Sequence, residues 1–294
     1  MIRKIKAIWE LMRLEHGVMI AIAILIGSLI ASRNIPTLDK FLFTFFTALF
    51  LEASTFALND YYDYDIDKKN NRLDRPLVRG DLSKNAALYL FFILFPLGII
   101  SSYFVNLTCF MIALITAIFA IFYDVILKKI KLLGNFFIGY VMAIPFVFGA
   151  ASVLTENVFS INLSPAVIII SCIAFLSGVG REMMKDVMDF KGDTEGGVKS
   201  FPKYIGIKNS NIVASFFYIF AIFLSFIPFL FENYNFYYNN LVYLILIIIT
   251  DIMLIWTVIK LIFDKNIDMK FYRKFTLIAL FIGLLAFLIG VFIG

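Results

Sequence analysis

Two stretches of the chain carry carboxylates at a spacing that suits metal chemistry. Residues 59 to 67 run Asn-Asp-Tyr-Tyr-Asp-Tyr-Asp-Ile-Asp, and residues 186 to 193 run Asp-Val-Met-Asp-Phe-Lys-Gly-Asp. On a helix, Asp60, Asp63 and Asp67 fall at i, i+3 and i+7 and share one face, with Asn59 beside them. Asp186, Asp189 and Asp193 repeat that spacing. Like charges on successive turns repel, and at the edge of hydrocarbon each carboxylate adds a desolvation cost, about 2.5–3.5 kcal/mol at full depth. Something cationic must offset this. An oxygen-only donor set suits Mg2+ or Mn2+, and Mg2+ binds a few carboxylates while bridging to substrate phosphates. Two such ladders therefore read as a clamp for a diphosphate.

Other readings of the same residues are weaker. One ladder alone is equally well a solvated acidic loop, but the repeat argues against chance. Asp63, Asp65 and Asp67 alternate as in a calcium-binding EF-hand loop, yet Lys68 stands where that loop needs glycine. The D-G-x-x-A-R core of membrane phosphoalcohol transferases is absent around Asp63. His16 is the only histidine, and Cys109 and Cys172 each lie inside an apolar run, which removes His-based zinc ligation, Ser-His-Asp chemistry and thiolate metal sites. Cations that can neutralise a departing diphosphate lie close by: Arg72 and Arg75 after the first ladder, Lys185 and Lys199 around the second, and the Tyr123 and Lys128 pair between them. Taken singly, each lysine is better explained by membrane topology. Lys128 is stronger for the tyrosine before it, and Lys185 for its place within the second ladder.

The elements that hold these residues follow from composition. Of 294 residues, 62% are hydrophobic and 16% charged, with a mean hydropathy of +0.92, too little polar surface for a soluble enzyme. Nine apolar runs are long enough to span a bilayer, roughly 14–32, 40–59, 85–104, 107–127, 133–153, 164–184, 211–231, 238–262 and 272–293. The first follows Arg3, Lys4, Lys6 and Arg13 but lacks a cleavage signal, so it is expected to be retained. Nearly all lysines and arginines lie at the N-terminus and in the even-numbered connections, and only Arg33 and Lys40 fall on the other side, which predicts a cytoplasmic N-terminus. The net charge of +5 thus sets orientation and does not point to nucleic acid. Both ladders lie at the cytoplasmic face, where two connections of about 25 residues are expected. A transporter instead predicts ionisable residues near the midplane.

N-D-Y-Y-D-Y-D-I-D (59–67) resembles the first aspartate motif of the UbiA superfamily of intramembrane prenyltransferases, and D-V-M-D-F-K-G-D (186–193) resembles the second. Tyr123 to Lys128 is similar to its tyrosine-lysine motif, and L-D-R-P (73–76) and V-K-S-F-P (198–202) to its flanks. The resemblance covers the whole chain. It implies a single all-α domain over 1–294 in the cell membrane, nine helices around a central cavity open to lipid and capped by cytoplasmic loops. It further implies Mg2+ held on a prenyl diphosphate by Asn59, Asp60, Asp63, Asp67, Asp186, Asp189 and Asp193. Arg72, Tyr123, Lys128, Lys185 and Lys199 neutralise the diphosphate, and an acceptor captures the allylic cation. The 35 phenylalanines and 14 tyrosines supply aromatic wall for a prenyl tail, though most of them face lipid.

Within the superfamily, F-L-S-G-V-G-R-E-M-M-K-D (175–186) is most similar to archaeal digeranylgeranylglyceryl phosphate synthases, with an aromatic-acceptor enzyme of quinone biosynthesis as the other acceptor class. That resemblance implies transfer of a geranylgeranyl group to the free hydroxyl of a lipid-like acceptor, geranylgeranylglyceryl phosphate. Val78-Arg79 and Ser200 depart mildly from the family pattern. A phosphate-bearing acceptor needs further cations, for which Lys4, Lys6, Arg13 and Arg181 are candidates. Glu52, two turns deeper than Asp60, and Asp251 are ionisable groups inside apolar runs, and Glu52 is a candidate base for the acceptor hydroxyl.

Overall fold

The computed structural model describes residues 2–69, 71–125, 130–154, 163–195, 197–264 and 266–294. They form ten α-helices: α1 (Ile2–Met12), α2 (Gly17–Ser32), α3 (Leu38–Lys69), α4 (Lys84–Tyr103), α5 (Leu107–Val125), α6 (Lys131–Ser152), α7 (Pro165–Glu195), α8 (Phe201–Leu230), α9 (Leu241–Phe263) and α10 (Met269–Ile293). Among the described residues, nine helices are long and apolar enough to cross a membrane. The expected count and the all-α class are borne out.

Consecutive helices from α3 to α10 pack on one another, and α10 also packs on α2, so the last span returns to the first. A close crossing joins α2 to α6. A Cβ built on Gly27 would meet the Phe146 carbonyl oxygen at 2.0 Å, and one on Gly149 would meet the Ile24 carbonyl oxygen at 2.1 Å. Only glycine permits backbones to approach so closely in a bilayer, where packing and interhelical hydrogen bonds must replace the hydrophobic effect. Ser28 supplies one, its Oγ donating to the Gly149 carbonyl at 2.9 Å.

Four elements differ from expectation. The third helix runs ten residues past the predicted end of its span, to Lys69, and the seventh continues to Glu195. Both ladders are therefore helical, and the connections after them are shorter than the 25 residues expected. Charge at successive turns did not stop these helices because side-chain cations compensate it. The eighth helix begins at Phe201, where the sequence placed its start at 211, and Gly206 breaks it with φ 78° and ψ 162°, a left-handed backbone that glycine adopts without a Cβ clash. The basic N-terminal segment, for which the sequence predicts no element, forms α1. Its Leu11 is fully buried with Ala57, Leu77 and Ala87, pinning α1 to α3, α4 and their connection. Its outer face leaves Ile5 and Trp9 more than half exposed.

Candidate active site between the two aspartate helices

The ladder on α3 is laced with arginine. Asp60 is 3% exposed, and both Arg13 Nη2 and Arg75 Nη1 reach its Oδ1 at 3.1 Å. Arg75 Nε lies 3.7 Å from Asp67 Oδ2 and is buried with no hydrogen-bond partner among the described residues. Asn59 donates from Nδ2 to Asp124 Oδ1 at 3.1 Å, tying α3 to the end of α5. Arg72 is turned outward onto Asp74, with two hydrogen bonds of 2.9 Å. Those bonds hold the Asp74 carboxyl down to about 2.

The ladder on α7 is served by α6. Asp186 is 2% exposed, accepts from Asn135 Nδ2 at 2.7 Å and lies 3.4 Å from Lys131 Nζ. Lys131 Nζ also donates to Asp193 Oδ2 at 2.6 Å. Lys185 turns away from this ladder, its Nζ held at 2.8 and 2.7 Å by the two carboxylate oxygens of Glu182, one turn earlier.

The two ladders share one end of the bundle. The Arg72 guanidinium is held charged by Asp74 first, and also by Asp67 from the first ladder and Asp189 from the second. The Tyr123 phenol lies in the electrostatic field of both Asp63 and Asp186. Its ring stacks on Phe137 with centroids 5.0 Å apart, against Gly134, where a Cβ would meet the ring at 2.8 Å. The connections close in the same way: Ile130 and Lys199 form a backbone bridge, which brings the segment after α5 to the one after α7. The Lys199 side chain is exposed, and Lys128 lies outside the described residues.

The acceptor candidates fall in two places. Arg13 adopts a left-handed conformation, φ 49°, at the break between α1 and α2, and its guanidinium lies 4.1 Å above the Phe56 ring. Glu52 Oε1 is 3.5 Å from His16 Nδ1. Arg181 lies elsewhere, near Tyr218 and Arg273, with a buried Nε that has no hydrogen-bond partner among the described residues. Asp251 accepts from Ser225 Oγ at 2.7 Å, a bond between α8 and α9 within the bundle.

The donor set fits a hard divalent cation. Burial, first, pushes the Asp67 and Asp193 carboxyls up, with Arg75 and Lys131 opposing it. Both ladders thus retain a demand for positive charge that the side chains only partly meet. Among the described residues no three carboxylates converge as a ready-made cage. Arg13, Arg75 and Lys131 instead stand as counter-ions on the same carboxylates. In sequence Lys131 reads only as a topology charge, and Asn135 and Asp124 do not stand out. The one usable signal is Lys131 and Asn135 at i, i+4, facing the second ladder.

Residues 20–278 match the UbiA prenyltransferase family. The chain belongs to that family. It is 40% identical over 292 residues to the digeranylgeranylglyceryl phosphate synthase of Archaeoglobus fulgidus, covering 99% of this chain and 97% of the relative. The corresponding synthase of Pyrococcus furiosus is 33% identical, covering 98% of each chain. A solved structure of a digeranylgeranylglyceryl phosphate synthase superposes with a TM-score of 0.77 at 34% identity, covering 98% of both chains. A UbiA homolog from Archaeoglobus fulgidus bound to DMAPP and Mg2+ shares the fold, with a TM-score of 0.62 at 17% identity and coverage of 95% of this chain and 98% of that one. This UbiA prenyltransferase is thus an enzyme built on membrane-spanning helices.

Proposed function

We propose that this UbiA prenyltransferase transfers a geranylgeranyl group from geranylgeranyl diphosphate to the free hydroxyl of geranylgeranylglyceryl phosphate, at a site facing the cytoplasm. The observation that carries the reading is the 40% identity, over nearly the whole chain, to a synthase of that name. The pairing of two aspartate helices at one end supports the diphosphate half, and the lysine and arginine asymmetry supports the cytoplasmic side.

Asp60, Asp63 and Asp67 with Asn59, and Asp186, Asp189 and Asp193, hold Mg2+, which when bound neutralises the diphosphate as a Lewis acid. The chain's own cations do the rest. Arg75, whose Nε has no hydrogen-bond partner among the described residues, and Lys131 stand against the ladder carboxylates, and Arg72, Tyr123, Lys128, Lys185 and Lys199 are the further groups we assign to neutralising the diphosphate. Charge-assisted donors fixed at the leaving oxygens stabilise charge as it develops there, without reorganisation cost. The Ile130–Lys199 bridge draws the connections after α5 and α7 together beside the ladders, an arrangement suited to keeping water from an allylic cation. Arg13 and Glu52 serve the acceptor, while Arg181 stands apart from them near Tyr218 and Arg273.

The test is incubation of purified protein with labelled geranylgeranyl diphosphate and Mg2+, offering geranylgeranylglyceryl phosphate and 4-hydroxybenzoate in parallel. A new ether lipid is the expected product. Alkylation of the aromatic acid overturns the acceptor assignment, and neither product with intact diphosphate overturns the reaction. Asp63→Ala and Asp189→Ala are each expected to abolish turnover in protein that still folds.

A further inference from the structure

One stripe of α3 leads from the aspartate ladder into the bilayer. Phe45, Leu49, Glu52, Phe56 and Asp60 stand at i, i+4, i+7, i+11 and i+15 and share a face. What meets that face changes along it. At the mouth, Arg13 joins Asp60 and lies over Phe56. One turn deeper, His16 meets Glu52 at 3.5 Å and packs edge-on against Phe56 with ring centroids 5.5 Å apart. Deeper still, Phe45 and Leu49 with Trp9, Leu14, Gly17 and Ala21 line an apolar groove of about 400 Å3 between α1, α2 and α3. A carboxylate inside a spanning helix is costly and marks function by default. This one is paired with the chain's only histidine.

Resting on the proposed reaction, we infer that the Glu52 and His16 pair takes the hydroxyl proton of the lipid acceptor, whose isoprenoid chain lies in the groove lined by Trp9, Ala21, Phe45 and Leu49. Two features select this occupant over bulk lipid. Phe45 and Leu49 of the groove share the face of α3 that carries Glu52 and Asp60, and a cation, Arg13, stands between Asp60 and Phe56 on that face, where it meets the acceptor's phosphate. A chain lying in the groove brings its glycerol hydroxyl to Glu52. The hydroxyl oxygen forms its bond to C1 of the prenyl group as the bond from C1 to the diphosphate oxygen breaks. The electron pair leaves with diphosphate, and the hydroxyl proton passes to the Glu52 carboxylate. His16 is a positioning residue that fixes that carboxylate.

The test uses full-length protein in nanodiscs, with the unfolding midpoint of each variant recorded. Base catalysis is worth about 100-fold or more. Glu52→Gln is therefore expected to lower kcat for ether formation at least 100-fold, with the dissociation constant of geranylgeranyl diphosphate within twofold of wild type. Glu52→Asp, which keeps a carboxylate, is expected to recover at least tenfold over Glu52→Gln and covers the case in which the amide variant misfolds. His16→Asn lowers kcat more than it raises KM. Ala21→Trp, which fills the groove, raises the acceptor KM about tenfold or more and leaves prenyl diphosphate affinity alone. A Glu52→Gln enzyme within threefold of wild type overturns the inference, as does an Ala21→Trp enzyme with unchanged acceptor KM, which leaves only bulk lipid in the groove. Wild-type protein that makes no ether lipid overturns the proposed function itself, and so is distinguishable from either result.

Discussion

Arg13 reaches back across the break between α1 and α2 to Asp60, Nη2 to Oδ1 at 3.1 Å, and so ties the N-terminal helix to the first aspartate ladder. Arg75 meets the same oxygen from the connection after α3, also at 3.1 Å. Two guanidinium groups thus compensate one carboxylate that is almost wholly buried. Removing the partner of a buried charge costs about 3–5 kcal/mol when nothing replaces it. Arg13→Ala and Arg75→Ala are each expected to cost less than that, because the other arginine remains, and the double variant to cost more than their sum. Thermal unfolding of the metal-free variants measures this, and added Mg2+ is expected to restore part of the double variant's loss.

Lys131 and Lys185 separate the two ways of finding the site. By position in sequence Lys185 belongs to the second ladder, but its ammonium is held by Glu182, while Lys131, from another helix, bonds Asp193 at 2.6 Å. Lys131→Met is therefore expected to lower turnover at least tenfold more than Lys185→Met, a difference of about 1.4 kcal/mol in transition-state stabilisation. Equal losses in kcat/KM for the prenyl diphosphate contradict the geometry.

The span count and the D-x-x-D-x-x-x-D spacing were legible because each rests on local periodicity, and a ladder is readable wherever a helix persists. What serves the ladders was legible only in part. Arg75 was readable as a cation following the first ladder, but Lys131 and Asn135 arrive from another helix, and pairing across space leaves no fixed offset in sequence. Arg13 reads from sequence as an acceptor cation, yet its closest carboxylate belongs to the ladder. The amphipathic α1 was hidden by its own charge, since Arg3, Lys4 and Lys6 are explained by topology alone. Its contacts show a further purpose: Arg3 donates to Asp81 at 2.6 Å and Glu10 pairs with Arg79, clipping the connection that carries Arg75.

Acid acts in opposite directions on two groups at the mouth. Burial raises the Asp67 carboxyl above 3.8 in the folded, metal-free protein, as it does Asp193. The folded state then binds more protons than the unfolded one just above pH 3.8, so these groups cost stability as pH rises through that window and nothing further changes above it. Asp74, held down to about 2 by Arg72, gives stability that is complete above 3.8 and lost as pH falls through about 2. Unfolding of metal-free protein followed from pH 7 downward is expected to show a gain as pH falls toward 3.8, attributable to Asp67 and Asp193 and absent in Asp67→Asn/Asp193→Asn. In Asp74→Asn, the loss near pH 2 is expected to shrink. Mg2+ competes with the same protons, so its stabilising effect is expected to fade across the first window.

Glycines at two places on the site's scaffold are predicted to behave oppositely. Gly149 sits where α6 crosses α2, and a Cβ there would lie 2.1 Å from a backbone oxygen of Ile24, an atom that cannot rotate away. The helices must separate to admit it, which also breaks the Ser28 bond to the Gly149 carbonyl. Overpacking of this kind costs about 1–3 kcal/mol or more, so Gly149→Ala is expected to lower the unfolding midpoint measurably. Gly192 lies one residue before Asp193 on α7, in open space, with nothing within 4 Å of an added Cβ and an ordinary helical backbone. Alanine there removes conformational freedom from the unfolded chain, worth about 0.4–1 kcal/mol, and stiffens the turn that presents Asp193. Gly192→Ala is therefore expected to raise the midpoint, and a loss of stability there would mean that the last turn of the second ladder is not helical.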